Sequence, residues 1–279
     1  MLVRKVKNFI EKWNLLSKKD KILVALSGGK DSGTVLYILK KLGYNVEGLH
    51  LQLGVAKWSD KCLNAVQELC KKLNIPLHVF DVKKNFGTSM CYLRSVIQNK
   101  QKLKNCHICG VLKRQILNKL ARTLKATKLV TGHNLDDEAQ TVLMNFLLGN
   151  LEVARRVGPV TGLIKDKKFI PRVKPLYFCS EKEIKDFAIS KKIPFVPEPC
   201  PCSIDAFRRK IKNWLDQFDD SVKMKIVNYF LNEIKPKLKK EKFELKYCKK
   251  CGEPTAKDIC KVCSLFSGLL EKVEKCMIA

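Results

Sequence analysis

The sequence predicts an α/β fold in which a parallel, five-stranded-type sheet carries helices on both faces, followed by C-terminal helices and a small cysteine-rich ribbon. Three observations predict this architecture. Short apolar runs alternate with stretches of helical period, which is the pattern of a parallel sheet with crossover helices. The first apolar run leads into the glycine turn Ser27-Gly28-Gly29-Lys30-Asp31-Ser32. Two C-x2-C pairs follow near the C-terminus.

The first half of the chain supplies three strands. Residues 3–19 have apolar side chains on one side and lysines on the other, which predicts a basic helix beside the core. The apolar run at 22–26 predicts a strand that is buried on both faces, and helical spacing follows it up to Gly43. We expect these elements next: a strand at 46–53, a helix capped by Ser59, a strand at 76–82, a flexible connection with room for a short helix at 83–105, and a helix at 107–124.

The second half begins with a fourth strand at 128–131, which leads into Gly132 and a helix. Residues 149–174 are irregular and basic, as expected of a loop over a site. Ser180 and Glu183 form a capping box for another helix. After a proline-rich turn we expect two further helices. The first starts at Ser203, buries Phe207, Ile211, Trp214, Leu215 and Phe218 and displays Arg208, Arg209, Lys210 and Lys212, and the second ends near Pro236.

The charge and the cysteine content limit the functional classes. The 279 residues include 55 Lys and Arg against 27 Asp and Glu, a formal charge of +28 that is spread along the chain. Such a balance favours a polyanionic partner, with nucleic acid as the first candidate. No apolar run approaches the roughly 18 residues of a membrane span, and the charged start lacks a signal-peptide core, so we expect a cytoplasmic protein. The 13 cysteines then indicate thiols, metal ligands or redox chemistry.

The turn at 27–32 has the features of a nucleotide phosphate site. Its two glycines let the backbone approach an anion, the free amides of the helix start point toward that anion, and Lys30 adds a positive charge. Ser27 and Ser32 add hydroxyl donors. The spacing is neither that of a Walker A loop nor G-x-G-x-x-G. An ordinary βα turn is the alternative, but a Lys-Asp pair with two serines exceeds what a tight turn requires.

The terminal cysteines Cys248, Cys251, Cys260 and Cys263 have the spacing C-x2-C-x8-C-x2-C. Two such knuckles bring four thiolates into one tetrahedral shell, which predicts a structural Zn²⁺ ribbon remote from the reaction site. A segment of about 35 residues buries too little apolar surface to fold alone. The metal is therefore expected to stabilise it directly.

A second group of cysteines is less regular. Cys106 and Cys109 start a predicted helix, and Cys200 and Cys202 are separated by one proline. The sheet topology places both segments near the strand ends, where ligands bind. Lys113 follows Cys109 by four residues and therefore lies on the same helical face. Three thiolates with an open position suit an iron–sulfur cluster. A catalytic persulfide and a plain zinc site are the alternatives that the spacing leaves open.

Five motifs together resemble the tRNA 2-thiolation enzymes of the TtuA and TtcA group, within the PP-loop ATPase superfamily. They are SGGKDS, the CHIC pair, TGHNLDDEAQTVL, PCPCS and the terminal C-x2-C-x8-C-x2-C, and they cover most of residues 20–270. The resemblance implies an adenine nucleotide alpha-hydrolase-like fold and an enzyme that splits ATP into AMP and pyrophosphate. It also implies ATP, Mg²⁺, a [4Fe-4S] cluster and Zn²⁺ as cofactors.

The resemblance further implies site residues in three sets, which serve ATP, the cluster and the reaction. They are Ser27 to Ser32, Leu51 and Gly132 for ATP, Cys106, Cys109 and Cys200 for the cluster, and Lys113 and Asp137 for the reaction. Asp137 also suits a purely structural role at the helix start after Asn134. His133 is expected to be a turn residue. The other cysteines are expected to be small apolar fillers: Cys62, Cys70, Cys91, Cys179 and Cys276.

Two features depart from the pattern of this group. TtuA-type members carry an additional zinc finger before the PP-loop, whereas residues 1–20 contain no cysteine. TtcA-type members lack the terminal ribbon, so the chain is closer to TtuA. The second departure is Cys202, because the related motif carries no thiol there. Whether Cys200 alone or also Cys202 binds the cluster stays open.

We therefore expect an ATP-dependent tRNA sulfurtransferase that adenylates the C2 oxygen of a pyrimidine, with uridine as the expected base, and replaces it with sulfur. The expected partners are tRNA and a sulfur donor, either sulfide, a desulfurase or a ubiquitin-like thiocarboxylate protein. A homodimer is left open. We divide the chain into a basic helix (1–20), an ATP-binding catalytic domain (21–200), a basic helical region (201–240) and the ribbon (241–279).

Two other functions fit parts of the sequence. A PP-loop ligase or amidotransferase would use ATP but would need no group of thiols. A zinc-ribbon RNA-binding protein with a degenerate nucleotide fold would need neither ATP nor sulfur. An iron–sulfur absorption band in anaerobically prepared protein separates the first prediction from both alternatives.

Overall fold

The structure is a computed structural model, and it describes residues 1–162, 166–203, 207–238 and 244–269. A π-helical turn at Phe230–Ile234 and a 3₁₀ turn at Lys235–Lys237 extend the last long helix, and a 3₁₀ turn lies at Pro201–Ser203. The α-helices are α1 (Leu2–Lys12), α2 (Lys30–Lys41), α3 (Ala56–Leu73), α4 (Val82–Phe86), α5 (Met90–Lys100), α6 (Asn105–Thr123), α7 (Leu135–Leu147), α8 (Leu151–Arg155), α9 (Glu181–Ser190), α10 (Phe207–Leu215), α11 (Asp220–Tyr229) and α12 (Lys261–Phe266).

Eight strands form two sheets within the described ranges. They are β1 (Ile22–Leu26), β2 (Val46–Gln52), β3 (Leu77–Asp81), β4 (Lys128–Val130), β5 (Val160–Thr161), β6 (Arg172–Val173), β7 (Lys246–Tyr247) and β8 (Pro254–Thr255). The large sheet has the order β3-β2-β1-β4-β6-β5, and its first five strands in that order are parallel. The predicted parallel α/β fold is confirmed. Strand β5 adds an antiparallel edge that the sequence did not indicate.

The centre of the sheet is β1, whose apolar side chains are covered on both faces. Ile22 and Val24 are fully buried, and α2 packs Leu36 and Leu39 against the same core. From β1 the chain crosses to β2 on one side, and it later returns to β4 on the other side. In parallel sheets a ligand crevice forms at this reversal, outside the carboxyl ends of the strands. The segments that follow β1 and β4 are therefore expected to form a ligand-binding site.

Helix α1 buries the predicted apolar side, including Val6 and Ile10, against the core. It ends at Lys12 and not at residue 19. Asn14 takes the left-handed conformation (φ 46°), and the Leu15 amide donates to the Ile10 carbonyl at 3.0 Å. This hydrogen bond closes the helix end as in a Schellman motif, so the basic residues that follow are not helical.

Several local predictions are wrong. Ser59 does not cap α3 but lies buried inside it, because the helix begins at Ala56. The segment 83–105 contains most of α4 and all of α5, whose starts carry side-chain caps, instead of one short helix in a flexible connection. The irregular segment 149–174 contains α8 and the β5–β6 hairpin. Trp214 and Phe218 are 50% and 37% exposed, because they pack on each other at the surface.

The ribbon packs against α5 and α6, so the expectation that it is remote from the site is also wrong. Its cysteines share one hydrophobic cluster with Ile108 and Leu112 of α6, and Cys109 packs against that cluster. Glu253 of the ribbon forms an ion pair with Arg122 of α6. The ribbon therefore supports the helix that carries Cys106 and Cys109. Within the described ranges, no helix combines the length and the apolar character needed to cross a membrane.

Candidate active site

The segments that follow β1 and β4 meet in the crevice at the carboxyl edge of the sheet. A Cβ atom placed on Gly132 would lie 2.6 Å from the Ser32 amide nitrogen and 2.7 Å from the Asp31 carbonyl carbon. Asn134 donates from Nδ2 to the Asp31 carboxylate at 3.0 Å. Glycine is required at position 132 because its backbone approaches the backbone of Asp31 and Ser32 closely, and not because of an unusual φ angle. The fold thus brings two predicted motifs into direct contact.

The nucleotide loop, residues 27–32, is held by its own serines and by α3. The Ser27 amide donates to Ser32 Oγ at 3.1 Å. Gly28 has φ +84°, and a Cβ atom there would lie 2.6 Å from Cys62 Cβ, so glycine is required for two reasons. Helix α2 begins at Lys30. Its first amides therefore lack acceptors within the helix and are suited to a phosphate.

Lys30 is the charged group of the nucleotide loop, and its ammonium contacts two carboxylates. Lys30 Nζ lies 3.1 Å from Asp31 Oδ2 and 2.9 Å from Glu181 Oε1. The other oxygen of Glu181 lies 2.7 Å from Lys212 Nζ on α10. Burial lowers the pKa of Lys30, but the two carboxylates outweigh burial and raise it. Burial likewise opposes the charge of Glu181, but the two lysines lower its pKa to about 2.

Asp137 closes the capping box of α7 and also places a carboxylate in the crevice. Its amide donates to Asn134 Oδ1 at 2.9 Å, and its carboxylate accepts from the Asn134 amide at 3.4 Å, so the capping box is present. The same carboxylate lies 3.8 Å from the Arg208 guanidinium of α10. Its charge also acts on His133 and on Asp31 of the nucleotide loop. The helix start therefore presents an acid to the crevice.

His133 lies within electrostatic range of both predicted reaction residues, Lys113 and Asp137. Its Nδ1 is 2.8 Å from Thr131 Oγ1. The surrounding protein lowers the pKa of His133, and neighbouring cations including Lys174 and Lys113 lower it further, although Asp137 acts in the opposite direction. The imidazole is therefore neutral at neutral pH. As expected of a turn residue, it lies in the connection between β4 and α7, among the charges of the crevice.

The cysteine group, Cys106, Cys109, Cys200 and Cys202, adjoins these residues. Lys113 acts on the Cys109 thiol from one helical turn away, and Cys106 and Cys202 also affect that thiol. Cys200 interacts with Cys202 and with Cys109. Burial raises the pKa of both Cys109 and Cys200. The structure thus gathers the two sequence-distant cysteine pairs beside Lys113.

The two sets of cysteines differ in compactness. The four ribbon thiols have sulfur atoms within 4.8 Å of one another, and no other such group of possible metal ligands occurs in the ranges that the structure describes. Four thiolates at about 2.3 Å from one Zn²⁺ lie about 3.8 Å apart, so the ribbon fits a single ion. The cysteine group is more open. Thiolates on different irons of one cluster lie farther apart than thiolates on one ion, so this group fits a cluster better than a zinc.

The cysteines expected to be apolar fillers fall into three cases. Cys91 is partly exposed and accepts a hydrogen bond from the Arg94 guanidinium at 3.1 Å, so it has a polar contact. Cys276 lies outside the described residues. The others are buried, as expected: Cys62, Cys70 and Cys179.

Sequence reasoning missed Glu181, Arg94 and the surroundings of His133. Glu181 follows the correctly predicted cap Ser180, but only the tertiary fold shows that it contacts Lys30. Leu51 lies in β2 and packs against the cluster around α4 to α6. Its contact with adenine stays a prediction.

Substituting Gly132 by alanine is expected to weaken ATP binding about tenfold or more. The added Cβ atom would overlap the backbone of Ser32, and overpacking of this kind costs about 1–3 kcal/mol. Calorimetric titration with a non-hydrolysable ATP analogue measures the effect. Gly110→Ala is the matched control, because its Cβ atom would meet only the end of the Arg114 side chain. Equal affinities for both variants would show that the two loops need not touch.

Comparison with known proteins gives the same assignment as the site. Residues 1–217 match the family described as PP-loop domain. The tRNA-5-methyluridine(54) 2-sulfurtransferase of Pyrococcus horikoshii is 37% identical over 276 residues, which are 97% of this chain and 86% of that protein. Cytoplasmic tRNA 2-thiolation protein 1 of Caenorhabditis elegans is 33% identical over 264 residues, covering 91% of this chain and 69% of that protein.

A solved structure agrees with these sequence relatives. The U34-tRNA thiolase NcsA of Methanococcus maripaludis, determined with its [4Fe-4S] cluster, superposes with a TM-score of 0.77 at 27% identity, and the match covers 96% of this chain and 86% of that one. The predicted resemblance is confirmed. The chain therefore belongs to the PP-loop domain family, together with the tRNA 2-thiolation sulfurtransferases.

Proposed function

We propose that this protein is an ATP-dependent tRNA sulfurtransferase that replaces the C2 oxygen of a uridine by sulfur. The observation that carries the proposal is the junction of three parts in one crevice. The nucleotide loop contacts the segment around Gly132, and Asp137 follows that segment. Lys113 interacts electrostatically both with His133 of that segment and with Cys109 of the cysteine group. An ATP site beside a group of thiols suits activation of an oxygen followed by its replacement with sulfur.

The first step is adenylation of the base. The C2 oxygen attacks the α-phosphorus of ATP, a new P–O bond forms, and the bond to pyrophosphate breaks. The loop amides and Lys30 stabilise the departing pyrophosphate. We propose that Mg²⁺ enters with the phosphates. Phosphate that binds Lys30 takes the place now held by Glu181. The target base must leave its stack to reach the crevice.

The second step exchanges oxygen for sulfur. A sulfur nucleophile adds to C2, the C2–O bond breaks, and AMP leaves with the oxygen. Lys113, beside the cysteine group, places a positive charge near the departing oxygen. Cys106, Cys109 and Cys200 would hold a [4Fe-4S] cluster, which supplies an open iron for a sulfide when it is bound. Buried Arg94, which neighbours Cys109, fits such an anionic group.

Mass spectrometry of tRNA nucleosides tests the proposal. Unmodified tRNA is incubated anaerobically with the reconstituted protein, ATP, Mg²⁺ and sulfide, and 2-thiouridine is expected only when all components are present. ATP hydrolysis to AMP without a sulfur-containing nucleoside would favour a ligase or amidotransferase. Tight tRNA binding without ATP consumption would favour the RNA-binding alternative. Replacing sulfide by a desulfurase or a thiocarboxylate protein identifies the donor.

Binding of tRNA is expected to depend steeply on salt. The proposed contacts are α1, Arg155 at the end of α8 with the following Arg156, and the exposed side chains of α10. Arg208 and Lys212 are already paired with Asp137 and Glu181. Arg209 and Lys210 form no ion pair with any residue that the structure describes, so they provide the charges of α10 that are available to RNA.

The salt dependence is measured as log affinity against log salt concentration. The slope is expected to be several units, and the Arg209→Gln, Lys210→Gln double variant should reduce it by about 0.7–0.9 for each lost contact. The Lys18→Gln, Lys19→Gln double variant, with the same charge change near β1, is the control. A nearly flat slope for the unmodified protein would contradict electrostatic recognition.

A further inference from the structure

Arg94 of α5 is a buried guanidinium surrounded by thiols. It is 5% exposed. Its Nε donates to the Met90 carbonyl at 3.2 Å, and Nη2 donates to Cys91 Sγ at 3.1 Å. The thiols of Cys202 and Cys109 are its other neighbours. One cation thus contacts or neighbours three cysteines from three separate parts of the chain.

Arg94 differs in its partners from Lys223, which is also buried, and from the partly buried Lys174 and Arg122. Lys223 pairs with Asp136 at 2.6 Å, Lys174 pairs with Glu138 at 2.6 Å, and Arg122 pairs with Glu253. Among the residues that the structure describes, no carboxylate forms an ion pair with Arg94. Arginine keeps its charge at all accessible pH values, and an uncompensated buried charge is strongly unfavourable. The site therefore calls for an anion beside the guanidinium.

The cysteine group can provide that anion only when its thiols are deprotonated. Iron binding removes their protons, and three thiolates outweigh the charge of an oxidised [4Fe-4S] core. A sulfide on the open iron adds more negative charge. An RNA phosphate is a poor alternative, because Arg94 is almost inaccessible to solvent.

We propose that Arg94 is a positioning residue that supplies the counter-charge for the iron–sulfur cluster and stabilises its most negative forms. This inference rests on the proposed function. Cys91 accepts a hydrogen bond from the guanidinium and Cys202 neighbours it, which gives these two thiols a role without making them ligands. A nearby positive charge favours the reduced cluster, because the extra electron is negative. It also opposes loss of the cluster, because release of the iron lets the thiolates take up protons and leaves the buried guanidinium without an anion.

The test compares Arg94→Gln and Arg94→Lys with the unmodified protein after anaerobic reconstitution. The readouts are iron and acid-labile sulfide per chain, the rate of iron loss to a chelator, and the midpoint potential from a spectroscopic redox titration. Arg94→Gln is expected to shift the midpoint potential to more negative values and to lose iron at least several-fold faster. Arg94→Lys should fall between, because it keeps the charge but loses the planar fork. Lys100→Gln is the matched control, since it removes one exposed charge from the same helix.

Three results would overturn the proposal. An unchanged potential and chelation rate in Arg94→Gln would show that the charge does not act on the cluster. If Arg94→Gln fails to fold, as judged by circular dichroism, the neutral and apolar variant Arg94→Met decides in its place, and a potential and iron retention equal to those of the unmodified protein count against the role. An unmodified protein that takes up no iron but still thiolates tRNA would also overturn it, and that result would leave the sulfurtransferase assignment intact.

Discussion

Replacing Cys200 by alanine is expected to abolish both the iron–sulfur cluster and tRNA thiolation, whereas Cys202→Ala is expected to retain both. Cys200 lies between two prolines, and its carbonyl accepts hydrogen bonds from the Ser203 amide at 3.0 Å and the Ser203 hydroxyl at 2.7 Å. This rigid turn fixes the Cys200 thiol in one orientation. Cys202 instead neighbours Arg94. If Cys202 also bound iron, no open position would remain for sulfide.

The pair of variants is its own control, because both remove one thiol from the same turn. Three quantities are measured on the same anaerobic preparations. They are the iron content, the broad iron–sulfur absorption band at about 400 nm and the yield of thiolated nucleoside. The opposite pattern would identify Cys202 as the ligand. Loss of activity in both variants would indicate a fully ligated cluster or persulfide chemistry that uses two thiols.

Cys251→Ser is expected to remove the zinc and to destabilise the chain around α6, while nucleotide binding changes little. A structural zinc contributes folding free energy directly, on the order of 10 kcal/mol in isolated fingers. Because the ribbon cysteines share a hydrophobic cluster with α5 and α6, loss of the ribbon should also reduce iron uptake by the cysteine group. The nucleotide loop connects β1 and α2, whose apolar side chains belong to the other large hydrophobic cluster, so the loop should keep its affinity for ATP.

Metal analysis, thermal unfolding and ATP titration measure these three effects. Ser264→Ala is the control, because Ser264 is exposed on α12 next to the ligand Cys263. A Cys251→Ser variant that keeps its zinc and its unfolding temperature would refute the ribbon assignment. A variant that loses zinc but takes up iron normally would show that α6 does not depend on the ribbon.

Local signals in the sequence were sufficient for the central parts of the fold. The apolar run of β1, the glycine turn and the two capping boxes each depend on residues close together in the chain, and all are present. The ribbon spacing predicted a compact group of thiols because each knuckle is itself local. The helical periodicity overestimated the length of α1, because the left-handed residue Asn14 does not continue the helix.

The parts that could not be predicted depend on contacts between distant segments. Glu181 contacts Lys30 across 151 positions, and no local pattern encodes that pairing. Arg94 lies in a stretch with weak amphipathic character, which the sequence left as a connection, and its significance follows only from the thiols around it. The assignment of Cys106, Cys109 and Cys200 to one cluster, and the division of the chain into four segments, remain proposals.

The path of the uridine oxygen tests the central claim most directly. A tRNA substrate labelled with ¹⁸O at the C2 position of uridine is incubated with the reconstituted protein, ATP and sulfide, and the products are analysed by mass spectrometry. Adenylation followed by displacement predicts that the label appears in AMP, in an amount equal to the thiolated nucleoside. Unlabelled AMP beside thiolated tRNA would contradict the account, because the oxygen would then have left without passing through an adenylate.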